Sequence, residues 1–132
     1  MKIDWTPNKI ASLSIIQKIS KLPFEVSVFL ELHDNGYSVL AYNKGTFQSV
    51  RIPLTEFFKF LRLKRKEKDK KIAFVHNHPN PISTNDCFPS GHDSFWAYII
   101  NLICKRHNFS FVDAIIVSPN NRYFSYKENG AK

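Results

Sequence analysis

The sequence predicts an α+β fold, a mixed β-sheet flanked by helices, as one domain over residues 1–132. Three observations carry this expectation. Short stretches of alternating or continuous apolar residues interleave with stretches of helical period, in the order β-α-β-β-β-α-β-α-β-β. The 132 residues are 43% hydrophobic and include twelve phenylalanines, enough for one real core. No repeat, linker or break in composition divides the chain.

Residues 1–5 read as a short strand, ended by Thr6-Pro7-Asn8. Ile10, Leu13, Ile16, Ile19 and Leu22 recur at helical spacing, so one amphipathic helix is expected over roughly 9–21, stopped by Pro23. From Glu25 to Leu32 the pattern alternates, with Val26, Val28, Leu30 and Leu32 on one face and Glu25, Ser27, Phe29 and Glu31 on the other. Asp34-Asn35-Gly36 is a hairpin turn signal, and 37–42 returns as the second strand. Lys44-Gly45 turns again into a third strand at 46–52. Pro53 suits the first turn of a helix that buries Leu54, Phe57, Phe58 and Leu61. A short apolar strand at 71–75 leads into His76, and 79–89 is a proline-rich loop. The longest helix is expected over 90–107, with Phe95, Tyr98, Ile99, Leu102 and Ile103 inward. An apolar strand at 109–117 and a closing hairpin through 122–126 complete the chain.

Net charge is +8, and the run from Lys59 to Lys71 holds eight basic residues against two acids. Such a run can attract nucleic acid or an acidic protein surface. It also fits a solvated helix end, where the helix dipole favours cations; the latter is preferred. No apolar run is long enough to span a membrane, and the start lacks a secretory h-region. A cytoplasmic location is therefore expected, with Cys87 and Cys104 as free thiols.

The chemistry concentrates in Val75-His76-Asn77-His78-Pro79 and Ser90-Gly91-His92-Asp93. Histidines at i and i+2 of a strand point the same way. Pro79 has no N–H to continue a ladder, so both rings stand at an open strand end. Asp93 can supply a third ligand, which leaves a fourth position for water in a catalytic zinc site. Ser90-x-x-Asp93 also has the form of a capping box, and the two roles are compatible.

His76-Asn77-His78-Pro79 followed by Ser90-x-x-Asp93 resembles the signature of the JAMM (MPN-plus, JAB) zinc metalloproteases, and His-Asn-His-Pro looks like their RadC-like branch. Downstream, Asp113-Ala114-Ile115-Ile116-Val117 resembles that branch's D-H-I-I-V strand, with Ala114 where the branch has histidine. Arg122-Tyr123-Phe124-Ser125 resembles its closing hairpin. The loop between Pro79 and Ser90 has ten residues, longer than the family's usual one, and contains a second Ser-x-x-Asp, Ser83 to Asp86. Asp93 is preferred over Asp86 because the helix begins at Ser90 and the spacing to Asp113 fits.

The resemblance implies a JAB/MPN-type, cytidine-deaminase-like domain that holds zinc through His76, His78 and Asp93. It implies Glu25 as the general base and Ser90 as oxyanion stabiliser. The implied reaction is hydrolysis of a peptide or isopeptide bond, with a protein substrate such as a ubiquitin-like C-terminal tail. Glu31 is the rival base, but it lies on the order of 20 Å further along its strand at ~3.3 Å per residue. His92 and Cys87 are lesser candidates for the metal. The alternative function is a nucleic-acid-associated protein using the basic run. That run and the histidines lie at opposite ends of a strand, roughly 15 Å apart at ~3.3 Å per residue, so it is not expected to line the metal pocket.

Overall fold

The computed structural model describes residues 2–44, 57–59, 61–62, 70–79 and 89–130. The expected strand at 46–52, the start of the helix at Pro53, the loop with Ser83, Asp86 and Cys87, and most of the basic run lie outside the described residues.

Two short helices, α1 (Pro7–Ala11) and α2 (Ser14–Ser20), precede a hairpin of β1 (Val26–His33) and β2 (Gly36–Lys44). Residues 57–59 and 61–62 are helical. Then come β3 (Lys71–Asn77), α3 (Gly91–Arg106), β4 (Ser110–Val117) and β5 (Tyr123–Ser125). The five strands form one mixed sheet in the order β2-β1-β3-β4-β5. Among the described strands only the β3–β4 pair is parallel, joined through α3; the others are antiparallel.

β1 and β3 are interior strands and are buried on both faces, and the alternation of β1 sorts its residues between two cores. Val26, Val28, Leu30 and Leu32 pack with Ala73, Val75, Ile115 and Val117 beneath Ile10, Ile16 and Ile19 of α1 and α2. Phe29, Ile72 and Phe74 face the other way, against Phe57, Leu61, Ile100 and Cys104. There Phe29 stacks on Phe57 with centroids 4.0 Å apart. Burying one such ring is worth roughly 1.5–3 kcal/mol.

Besides Phe58, expected inward and found exposed, three local expectations are corrected. The helix expected over 9–21 is two helices. Thr6 caps the first through its side chain, and Pro7 sits at its start. At the break the Ser12 hydroxyl donates back to the Asn8 carbonyl (2.7 Å) and Leu13 is extended. Residues 2–5 are not a strand. Ile3 N–H donates to the Asp34 carbonyl and the Trp5 indole to the His33 carbonyl (2.7 Å), which pins the segment to the hairpin by single bonds rather than a ladder.

The third correction concerns α3. Its buried residues are Ala97, Ile100 and Cys104, whereas Phe95, Tyr98 and Leu102 are exposed. The helix has apolar residues around much of its circumference, so periodicity alone does not set its rotation. Its first turn does: Asp93, Ala97, Ile100 and Cys104 share one face, and Asp93 is turned toward the sheet. Small side chains at 97 and 104 let the helix sit close on the strands. Asn108, with φ of +61°, carries the chain out of the helix and back into β4.

Candidate metal centre

β3 extends beyond the apolar stretch to include His76 and Asn77. Its alternation sends His76 to the α3 face with Phe74, whose ring lies 5.8 Å away. His78 follows on the same side, and its N–H donates to the Val117 carbonyl at the end of β4 (2.9 Å). α3 starts opposite. Ser90 Oγ accepts from the Asp93 N–H (3.1 Å), and Asp93 Oδ2 accepts from the Ser90 N–H (2.9 Å), a complete capping box. The same carboxylate meets the histidines.

The three side chains converge tightly. His76 Nε2 lies 3.3 Å from His78 Nε2 and 3.3 Å from Asp93 Oδ1, and His78 Nε2 lies 3.1 Å from Asp93 Oδ2. Tetrahedral bonds of ~2.0–2.1 Å to nitrogen and oxygen imply ligand-to-ligand edges of about 3.3–3.4 Å. The separation of the two imidazole nitrogens fits such an edge; the carboxylate meets His76 through Oδ1 and His78 through Oδ2, and one ligand atom from each residue lies within 4.8 Å of the others. Two imidazole nitrogens facing one another and one carboxylate make an awkward hydrogen-bonding set, since only one proton can lie between the rings. A cation among them satisfies all three, so this group can hold a metal ion.

Electrostatics agree with ligand use. Burial lowers the pKa of His76, against the raising effect of the Asp93 hydrogen bond. Neutral imidazole is the form that binds metal. Burial raises the pKa of Asp93, but hydrogen bonds from both histidines and from Ser90 outweigh it and hold the carboxyl well below the usual range.

Glu25 lies just before β1. Ser27 pairs with His76 across the β1–β3 ladder, so two residues further Glu25 stands across from His78 on the same face. Its Oε2 is buried and has no hydrogen-bond partner. Burial pushes its pKa up to about 6, with His78 opposing and Asp93 adding to the rise. Glu31, the rival base, is an ion-pair partner of Lys70 (3.1 Å) at the far end of the strand. His92 is exposed, its ring edge-on to Trp96, and it is not one of the converging groups.

Asn77, between the two histidines, was not singled out by its residue type, yet it is fully buried and fully hydrogen-bonded. The motif spacing shows only that its side chain must point away from the metal. Asp113 likewise has a structural setting: Ser125 Oγ and the Lys127 N–H (3.0 Å) both donate to it, which fixes the turn after β5.

A cleft of about 970 Å³ lies between residues 2–5, Ser94, Tyr98 and Asn101 of α3 and the outer edge of β4; neither the trio nor Glu25 lines it. β5 pairs with that edge over Ile115–Val117, and the Tyr126 N–H donates to the Ala114 carbonyl just beyond (3.1 Å). Tyr126 reaches across to Ser94, their hydroxyls 2.9 Å apart, at the cleft's upper end.

A mixed sheet that presents two histidines at the end of an inner strand, opposite an aspartate in the first turn of a helix, defines a JAB-type domain with a trio able to hold a metal ion. The chain belongs to the RadC-like JAB domain family, whose family model matches residues 10–131. No curated protein sequence matches it significantly. No described helix is long and apolar enough to cross a membrane.

Proposed function

We propose that the protein is a zinc-dependent peptidase or isopeptidase. The observation that carries this reading is Glu25: a half-buried carboxylate with an unpartnered oxygen and a pKa near 6, placed beside a trio able to hold a metal. A scaffold role alone gives no reason to keep such a group. His76, His78 and Asp93 would hold the ion. Zinc bound there supplies Lewis acidity and makes attacking water acidic near neutral pH.

Glu25 accepts a proton from the attacking water and later delivers it to the departing amine. A pKa near working pH suits both transfers. Ser90 uses its oxygen to cap α3 and keeps its hydroxyl proton for the oxyanion that develops on the scissile carbonyl. The substrate is a protein chain with an extended tail, such as a ubiquitin-like C-terminus. The outer edge of β4 before Ala114 offers main-chain hydrogen bonds for such a tail, and the cleft beside it offers room.

The test is metal analysis of wild type and His78→Ala, with both assayed on a ubiquitin-like fusion. Wild type should carry close to one zinc per chain and cleave the fusion, and the variant should lose both. Wild type without zinc, or zinc-loaded protein that cleaves no peptide or isopeptide bond, refutes the reading. Salt-dependent DNA binding lost on neutralising Lys64, Arg65 and Lys66 would instead favour the nucleic-acid function.

A further inference from the structure

We infer that Asn77 is the positioning residue for Glu25, an inference that rests on reading Glu25 as the base. The β1–β3 ladder ends at the pair Ser27–His76. Beyond it the side chain of Asn77 takes over from the backbone. Its Oδ1 accepts from the Val26 N–H (2.6 Å). Its Nδ2 donates to the Phe24 carbonyl (3.0 Å) and to the Ile19 carbonyl of α2 (3.0 Å).

The Phe24 carbonyl belongs to the peptide unit before Glu25, and the Val26 N–H to the unit after it. One carboxamide therefore fixes both planes that meet at the Glu25 Cα, and with them the direction in which the carboxylate leaves the backbone. The third bond ties this clamp to the Ile19 carbonyl near the end of α2, which also accepts from the Leu22 N–H (3.1 Å). Asn is the side chain with an acceptor and two donors at this reach. Alternation along β3 then places the parts. His76 and His78 point to the α3 face, and Asn77 points to the opposite face, into the segment that carries the base. The same three-residue stretch sets both imidazoles and the carboxylate opposite them. A misplacement of about 1 Å can cost on the order of 100-fold in rate.

The test uses Asn77→Ala in the full-length, zinc-loaded protein. Zinc content should stay near one per chain and KM within about 3-fold, while kcat falls about 30-fold or more. The loss should vanish when the base is already gone: Glu25→Gln with Asn77→Ala should be no slower than Glu25→Gln alone. A merely structural role predicts the opposite, the same fractional loss in both backgrounds, and that result overturns the inference. So does unchanged kcat in a folded variant.

NMR gives a readout independent of turnover. Asn77→Ala should remove the exchange protection of the Val26 amide and shift the Glu25 carboxyl resonance, with the His76 and His78 ring signals retained. Should zinc-loaded wild type hydrolyse nothing, the base assignment falls, and these resonances still decide the clamp; their staying in place overturns it. If the alanine variant fails to fold, Asn77→Asp keeps the acceptor for Val26 and removes both donors. It should shift the Glu25 resonance as well, and an unmoved signal overturns the inference.

Discussion

Glu25→Gln should make the metal-free protein more stable at neutral pH while removing the proposed peptidase activity. Glutamine keeps the size and shape of the side chain and removes only its charge and its ability to take a proton. The native carboxyl has a pKa of about 6 against an ordinary 4.5, with burial as the main cause. At ~1.4 kcal/mol per pH unit that rise corresponds to about 2 kcal/mol. The group is only half-buried, and solvent screening reduces the figure to ~1 kcal/mol.

The sign follows from proton binding. Between pH 4.5 and about 6 the native state holds more protons at this site than the unfolded chain, so stability falls as pH rises through that window. The cost is fully present above it and absent below it. Urea denaturation of chelator-treated wild type and Glu25→Gln at pH 4 and pH 7.5 measures this. The two should be nearly equal at the acidic value, with the variant ahead by ~1 kcal/mol at the higher one, a Tm gain of about 3–5 °C. Zinc content should be retained on reloading, and kcat should fall by ~10²–10⁴ for loss of a general base. A variant equally or less stable than wild type at pH 7.5 would refute the claim that this carboxylate is held at a cost.

Other outcomes follow from the same geometry. Ser90→Ala removes the cap of α3 and should cost ~1 kcal/mol in denaturant melts; it should also lower kcat by ~10²–10³ if the hydroxyl faces the oxyanion. Ile100→Ala, at a fully buried position, should cost about 2–4 kcal/mol. Tyr98→Ser on the exposed side should stay within about 0.5 kcal/mol, so the pair checks the rotation of α3. Burial pushes the Cys104 thiol up to about 12, so at pH 8 it should react with a thiol reagent only as fast as the protein opens.

Much of the site was legible because it is local. A His-x-His at a strand end fixes two imidazoles on one side, and Ser-x-x-Asp before an apolar run fixes a helix start. Both are set by backbone geometry over a few residues, and both stand in the structure as the sequence implies. The hairpin at Asp34-Asn35-Gly36 is legible for the same reason. Where the sequence misleads, two local solutions compete. Spacing alone runs α1 and α2 together, while the Ser12 hydroxyl bonding back to Asn8 separates them.

What only the tertiary structure decided is how distant pieces share one face. Periodicity pointed Phe95, Tyr98 and Leu102 of α3 inward, whereas the sheet selected the rotation that turns Asp93 inward and leaves those three outside. The family resemblance made Glu25 a candidate, but its place across from His78 depends on the register of β1 against β3. Asn77 holds that register where the backbone ladder ends. Side-chain direction along one element is written in its own residues. The pairing of elements is set by burial and by hydrogen bonds between groups some fifty residues apart, such as Val26 and Asn77, and these exist only once the chain has closed on itself.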